Sequence, residues 1–178
     1  MKTFAKAIAI ATLAVATVVT PAFAAAGAKP SSATIVGIVG APDNEFDVLQ
    51  AAVIKAGLAG ALSSTDVQYT VFAPTDAAFV STFREILGNN SLTEAQVISF
   101  IEAGGVDTAL GAGSLQDILL YHVTNGRRIS RSVIAAPSYQ MLNGDRLTRS
   151  DLVAAGINAV DISASNGVIH VIDSVLIP

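Results

Sequence analysis

Residues 70 to 79 read Thr70-Val71-Phe72-Ala73-Pro74-Thr75-Asp76-Ala77-Ala78-Phe79, a β-branched and aromatic strand that stops at a proline and turns straight into a capped helix. Tyr69 to Ala73 suits a pleated, half-buried surface, and Pro74 has no N–H with which to extend a ladder. Thr75 or Asp76 then caps a helix whose Phe79, Val80, Phe83, Ile86 and Leu87 form a buried face, with Gly88 at its end. At the far end of the chain Val168 to Ile172 is a second apolar strand. Its Val168, His170 and Ile172 face one way and Ile169 and Val171 the other, so it reads as a central strand covered on both sides.

The amino terminus places the chain outside the cytoplasm. Lys2 and Lys6 precede an uncharged apolar run from Ala7 to Val19, and Ala22-Phe23-Ala24 supplies small residues at a cleavage point. This is the pattern of a secretory signal peptide over 1–24, too short to span about 30 Å of hydrocarbon comfortably, so no transmembrane anchor is expected after cleavage. Residues 25–33 read as a flexible leader and 34–178 as one domain. The formal charge of −4 becomes more negative once the two lysines are removed, which makes nucleic acid an unfavourable partner. No cysteine is present, so an exported domain of this kind must be stabilised by burial alone.

Between the two strands the pattern is helical. Asp43 and Asn44 can cap a helix carrying Phe46, Leu49, Val53 and Ala56, ended by Gly57. Ser91-Leu92-Thr93-Glu94 reads as a capping box before Val97, Ile98 and Ile101, and Ser114 to Asp117 opens a short helix with Leu115, Ile118 and Leu119 on one side. From Val123 onward short apolar runs alternate with Asn125-Gly126, Asn143-Gly144 and Asn166-Gly167, which predicts tight turns and strands near 139–142, 146–148, 159–163 and 168–172.

These segments resemble the fasciclin domain. The resemblance rests on Thr70 to Asp76, on Leu119-Leu120-Tyr121-His122-Val123, and on the Asn166-Gly167 turn followed by Val168 to Asp173 and Val175 to Pro178. It covers residues 34 to 178 and implies an α+β domain, a β-sandwich wedge of about seven strands with several helices packed along its edge. The family's adhesion motif, a Tyr-His pair with flanking aliphatic residues, maps by that resemblance onto Leu119, Leu120, Tyr121 and His122. His122 is equally the kind of histidine that braces a core, where it would tie the Tyr121 segment to Thr75 or Asp76.

Other candidates are weaker. Asp76 has the position of an N-cap rather than of a catalytic carboxylate. Two histidines in different elements do not make a metal site, and no Gly-x-Ser-x-Gly elbow occurs. No cofactor, no metal and no enzymatic activity are therefore expected. Arg127, Arg128, Arg131, Arg146 and Arg149 cluster in sequence and, if folded onto one face, suit sulfated or carboxylated polysaccharide or anionic headgroups. Asn89-Asn90-Ser91 matches an N-glycosylation sequon, relevant only in a eukaryotic secretory route. The expected function is a secreted or periplasmic, non-catalytic module for adhesion or envelope and matrix contacts with a protein or polysaccharide. The alternative is a carrier of an apolar ligand such as a lipid or carotenoid.

Overall fold

The computed structural model describes residues 31–42, 45–109 and 114–178. The expected signal peptide and the Asp43-Asn44 cap lie outside the described residues. Three short helices come first, α1 (Ile35–Val39), α2 (Asp47–Lys55) and α3 (Ala59–Ser63), then β1 (Tyr69–Pro74). Four more follow, α4 (Asp76–Leu87), α5 (Glu94–Glu102), α6 (Gly105–Ala109) and α7 (Leu115–Tyr121). The remainder alternates: β2 (Val123–Asn125), α8 (Ser130–Ala135), β3 (Ser138–Gln140), β4 (Arg146–Thr148), α9 (Arg149–Ala154), β5 (Ile157–Ala164) and β6 (Gly167–Ile172).

Four strands form one sheet in the order β2-β1-β6-β5, and β3 pairs with β4 as a separate hairpin. β1 and β6 are parallel, Tyr69 opposite Gly167 through Pro74 opposite Ile172, while the two outer pairs are antiparallel. Because side chains alternate along a strand, the central pair separates two cores. Val71, Ala73, Ile169 and Val171 face a core shared with α1 to α7, whereas Phe72 and Ile172 face one shared with Tyr139, Leu147 and Leu152 of the hairpin and α9. β6 is buried along its whole length, as its two-sided pattern predicts.

The mixed α and β character is as expected, but the sandwich of about seven strands is corrected. Among the described residues there are six strands, in sheets of four and two. The strand expected at 146–148 is present as β4, and the arginine-rich stretches also contain the helices α8 and α9, which were not expected. At α9 the Thr148 hydroxyl accepts from the Asp151 N–H and the Asp151 carboxylate accepts from the Thr148 N–H, a reciprocal cap that fixes the first turn. The capping box of α5 likewise lies two residues later than predicted, at Thr93 and Gln96.

The Asn-Gly pairs divide into different roles. Gly144, at φ +99°, makes the turn of the β3–β4 hairpin as predicted. At the β5–β6 turn Gly167 is already a strand residue without positive φ, and glycine is required there because a Cβ would collide with the Tyr69 carbonyl oxygen of β1. Close approach of two backbones, and not turn conformation, selects it.

Candidate functional site

His122 caps the carboxy end of α7 and is 2% exposed. Its Nδ1 lies 2.8 Å from the Ile118 carbonyl and its Nε2 accepts the Leu176 N–H at 2.9 Å. This pattern requires the neutral ring with its proton on Nδ1. Burial drives its pKa down from 6.5 to about 4, with the Ile118 bond opposing. The ring therefore ties α7 to the carboxy-terminal tail, and not to Thr75 or Asp76 as the sequence suggested. Tyr121 is buried beside it, its hydroxyl 3.4 Å from the Arg146 carbonyl, and burial raises its phenol pKa, with Asp151 and Asp145 adding to the rise. Leu119 is buried in the helical core and Leu120 is half-buried. The structure thus holds Leu119, Tyr121 and His122 inward, with Leu120 at the edge of the core.

His170 in β6 is used in the same manner. Its Nε2 lies 2.8 Å from the Arg128 carbonyl, and its Nδ1 accepts from the Asp161 N–H at 3.3 Å. Burial lowers its pKa, against the Arg128 bond and the nearby Asp161 charge. Asp161 occupies an irregularity of β5 at φ +63° and accepts both the N–H and the hydroxyl of Ser130 at the start of α8. A left-handed backbone at a non-glycine residue is uncommon, and the three hydrogen bonds of Asp161 hold it there.

Thr75 caps α4, its hydroxyl accepting from the Ala78 N–H, which leaves Asp76 free to cap a different helix. The Asp76 carboxylate receives the Asp47 N–H at 3.1 Å and the Val48 N–H at 2.9 Å, the first amides of α2. Burial pushes its carboxyl pKa up, the two amides hold it down, and Glu94 and Asp47 add a further upward push. Glu45, Asp47, Asp76, Glu94 and Asp173 line one cavity of about 460 Å³, a local concentration of negative charge that sequence reasoning missed. Carboxylate oxygens of Asp47, Asp76 and Glu94 lie within 4.8 Å of one another; residues so far apart in sequence carry no joint signal.

Asn166 is a second missed residue. It is fully buried, its Oδ1 accepts the Ile35 N–H at 2.8 Å, and its Nδ2 donates to the Leu62 and Ser64 carbonyls at 2.7 and 2.8 Å. One side chain thereby joins α1 and α3 to the β5–β6 turn.

The five arginines separate into two groups. Arg127 donates to the carbonyls of Ala164 and Gly167 and to the Ser163 hydroxyl, clamping the β5–β6 turn. Arg128 donates to the Asn125 carbonyl and lies 5.1 Å over the Tyr139 ring. Arg131, Arg146 and Arg149 are exposed. An apolar cavity between α1, α2 and β1, lined by residues such as Ile35, Leu49, Val53 and Val71, measures about 50 Å³, far below the roughly 300–1,000 Å³ of a site that encloses a small-molecule ligand.

A model of the fasciclin domain matches residues 44–178. The chain belongs to the fasciclin domain family. Protein sll1483 of Synechocystis sp. is 34% identical over 160 residues, covering 85% of this chain and 77% of that protein. Transforming growth factor-beta-induced protein ig-h3 of Sus scrofa is 34% identical over 146 residues, which are 76% of this chain but only 18% of that protein. The solved FAS1 domain pair from the insect cell adhesion molecule Fasciclin I superposes with a TM-score of 0.56 at 13% identity, over 82% of this chain and 51% of that one, and shows the fold. Among the described residues of this fasciclin domain, no helix is long and apolar enough to cross a membrane.

Proposed function

We propose that this chain is an exported, non-catalytic fasciclin domain that mediates adhesion or envelope and matrix interactions by recognising a protein or polysaccharide partner. The observation that carries the reading is the consumption of its reactive side chains inside the fold. Both nitrogens of both histidines are engaged with the backbone, and the buried Asp76 carboxylate caps α2. What remains outward is shape, loops, the exposed carboxylates Glu45, Asp47, Glu94 and Asp173 and the exposed arginines, which suits recognition. The relationship to ig-h3 and the fold shared with an insect cell adhesion molecule support the same reading. One domain gives one contact, so firm adhesion would require a polyvalent partner or more than one copy.

The test uses protein beginning at Ala25, incubated with washed native envelope or matrix and with extracted acidic polysaccharide at low and high salt. Saturable binding, together with inactivity on ester, amide and glycoside panels, is the expected result. A hydrolytic activity abolished in His122→Ala while the fold persists would contradict it. An organic extract of the native protein that yields a stoichiometric lipid or pigment would favour the carrier reading instead, with α1 displaced to enlarge the 50 Å³ cavity.

A further inference from the structure

The face built by α8, α9 and the outer strand β5 carries four exposed aliphatic side chains: Ile129 (47%), Ile134 (53%), Val153 (68%) and Val160 (37%). Ile134 and Val153 share one surface. Val133, Ile134, Arg149, Leu152, Val153 and Ile157 line a single shallow groove of about 330 Å³ between α8 and α9. The Ser130–Asp161 hydrogen bonds join the start of α8, next to Ile129, to β5, next to Val160. Arg149 lies in the groove, Arg131 projects from α8, and Arg128 stacks on Tyr139, whose hydroxyl donates to the Ser132 carbonyl of α8. Of the carboxylates at or beside this face, Asp151 is held by Thr148, Asp161 by Ser130 and Asp173 by Asn158.

Charge is distributed unevenly along the chain. Ten of the fourteen carboxylates precede Arg127, and every arginine except Arg84 follows Asn125. We propose that the α8–α9 face seats the domain on an anionic lipid bilayer, with Ile134 and Val153 entering the headgroup boundary and Arg131 and Arg149 meeting the anionic headgroups. A hydrated polysaccharide offers the arginines a partner but gives protruding isoleucine and valine no apolar phase. A bilayer surface supplies both, and its negative potential turns the acidic remainder of the molecule outward. This goes beyond recognition of a protein or polysaccharide, because the seat would hold the domain at the membrane whichever partner its other loops meet.

The experiment is flotation of protein beginning at Ala25 with phosphatidylglycerol–phosphatidylcholine vesicles and with phosphatidylcholine vesicles, at low and high salt. The amino-terminal apolar run is omitted so that it does not itself seek the bilayer. Binding is expected only with phosphatidylglycerol and to fall with salt. Ile134→Ser with Val153→Ser, both exposed and so compatible with folding, is expected to weaken it at least tenfold. Arg131→Gln with Arg149→Gln is expected to weaken it by about fivefold per arginine, with unchanged circular dichroism in both pairs. No flotation, or flotation unaffected by the aliphatic pair, overturns the proposal. So does a dimer in sedimentation that the aliphatic pair dissociates, which would assign the face to a second copy, or acidic polysaccharide binding that the same pair abolishes. Envelope recognition that survives all four substitutions, with no flotation, leaves the recognition reading standing without this seat.

Discussion

Replacing Asn166 by aspartate keeps the shape of the side chain and reverses half of its chemistry. The amide nitrogen donates to the Leu62 and Ser64 carbonyls, and no solvent reaches the site. In Asn166→Asp at neutral pH a carboxylate oxygen faces those two carbonyl oxygens, while the Ile35 N–H remains satisfied. Two hydrogen bonds of about 1 kcal/mol each are lost, and an unpaired buried charge raises the total to about 3–5 kcal/mol, a large fraction of the 5–15 kcal/mol typical of a domain. Burial and the two carbonyls lift the folded-state pKa of the new carboxyl above its unfolded value. The folded variant therefore binds the extra proton first, and the penalty relative to wild type shrinks as pH falls from neutral toward the unfolded carboxyl range. Asn166→Ala removes all three hydrogen bonds without adding a charge, so its penalty, about 3 kcal/mol, stays flat with pH. Urea unfolding followed by far-ultraviolet circular dichroism, each variant compared with wild type at the same pH, reads both quantities. An Asn166→Asp penalty below about 0.5 kcal/mol, the range of an unremarkable surface change, or one that does not change with pH, would refute this account of the hub.

Three further outcomes follow from the same geometry. Gly167→Ala drives a Cβ into the Tyr69 carbonyl across the β1–β6 pairing and is expected to cost about 3 kcal/mol or more, whereas Gly60→Ala, which meets no atom within 4 Å, should be neutral or stabilising in the same urea assay. Asp76→Ala strips the cross-helix cap from the first amides of α2 and is expected to cost about 1–2 kcal/mol, with amide hydrogen exchange quickening first at Asp47 and Val48. Because His122 is held neutral with a pKa of about 4 against 6.5 when exposed, the unfolded chain binds its proton first. Stability should rise with pH across that interval, by up to about 3 kcal/mol at about 1.4 kcal/mol per pH unit, and His122→Gln should flatten the slope.

Much of the fold was legible because its strongest elements are locally consistent. The passage from β1 into α4 announces itself through Pro74, Thr75 and the Phe79–Phe83 face, and β6 through uninterrupted apolar residues that only a two-sided burial can satisfy. α9 was also readable, since Thr148 and Asp151 have the spacing of a capping box, but aspartate in place of the usual glutamate or glutamine made it easy to pass over. α8 is six residues long and has no side-chain cap of its own; its first amide is held by Asp161 from another strand. The interactions that organise the site have the same non-local origin. Asp76 caps a helix 28 residues earlier, Asn166 bonds across 131 residues to Ile35, and His122 reaches Leu176 across 54. Spacing patterns carry nothing about such pairs, so the Asn-Gly motif at Asn166 looked like turn chemistry alone.

The motif histidine is an internal brace and not a group offered to substrate or partner. Nitrogen-15 spectra of the imidazoles through a pH titration test it directly. His122 is expected as a neutral ring protonated on Nδ1 at neutral pH, with a midpoint near 4, and His170 as the opposite tautomer, protonated on Nε2. A His122 that titrates near 6.5 with rapidly exchanging tautomers would place the ring in solvent and contradict it.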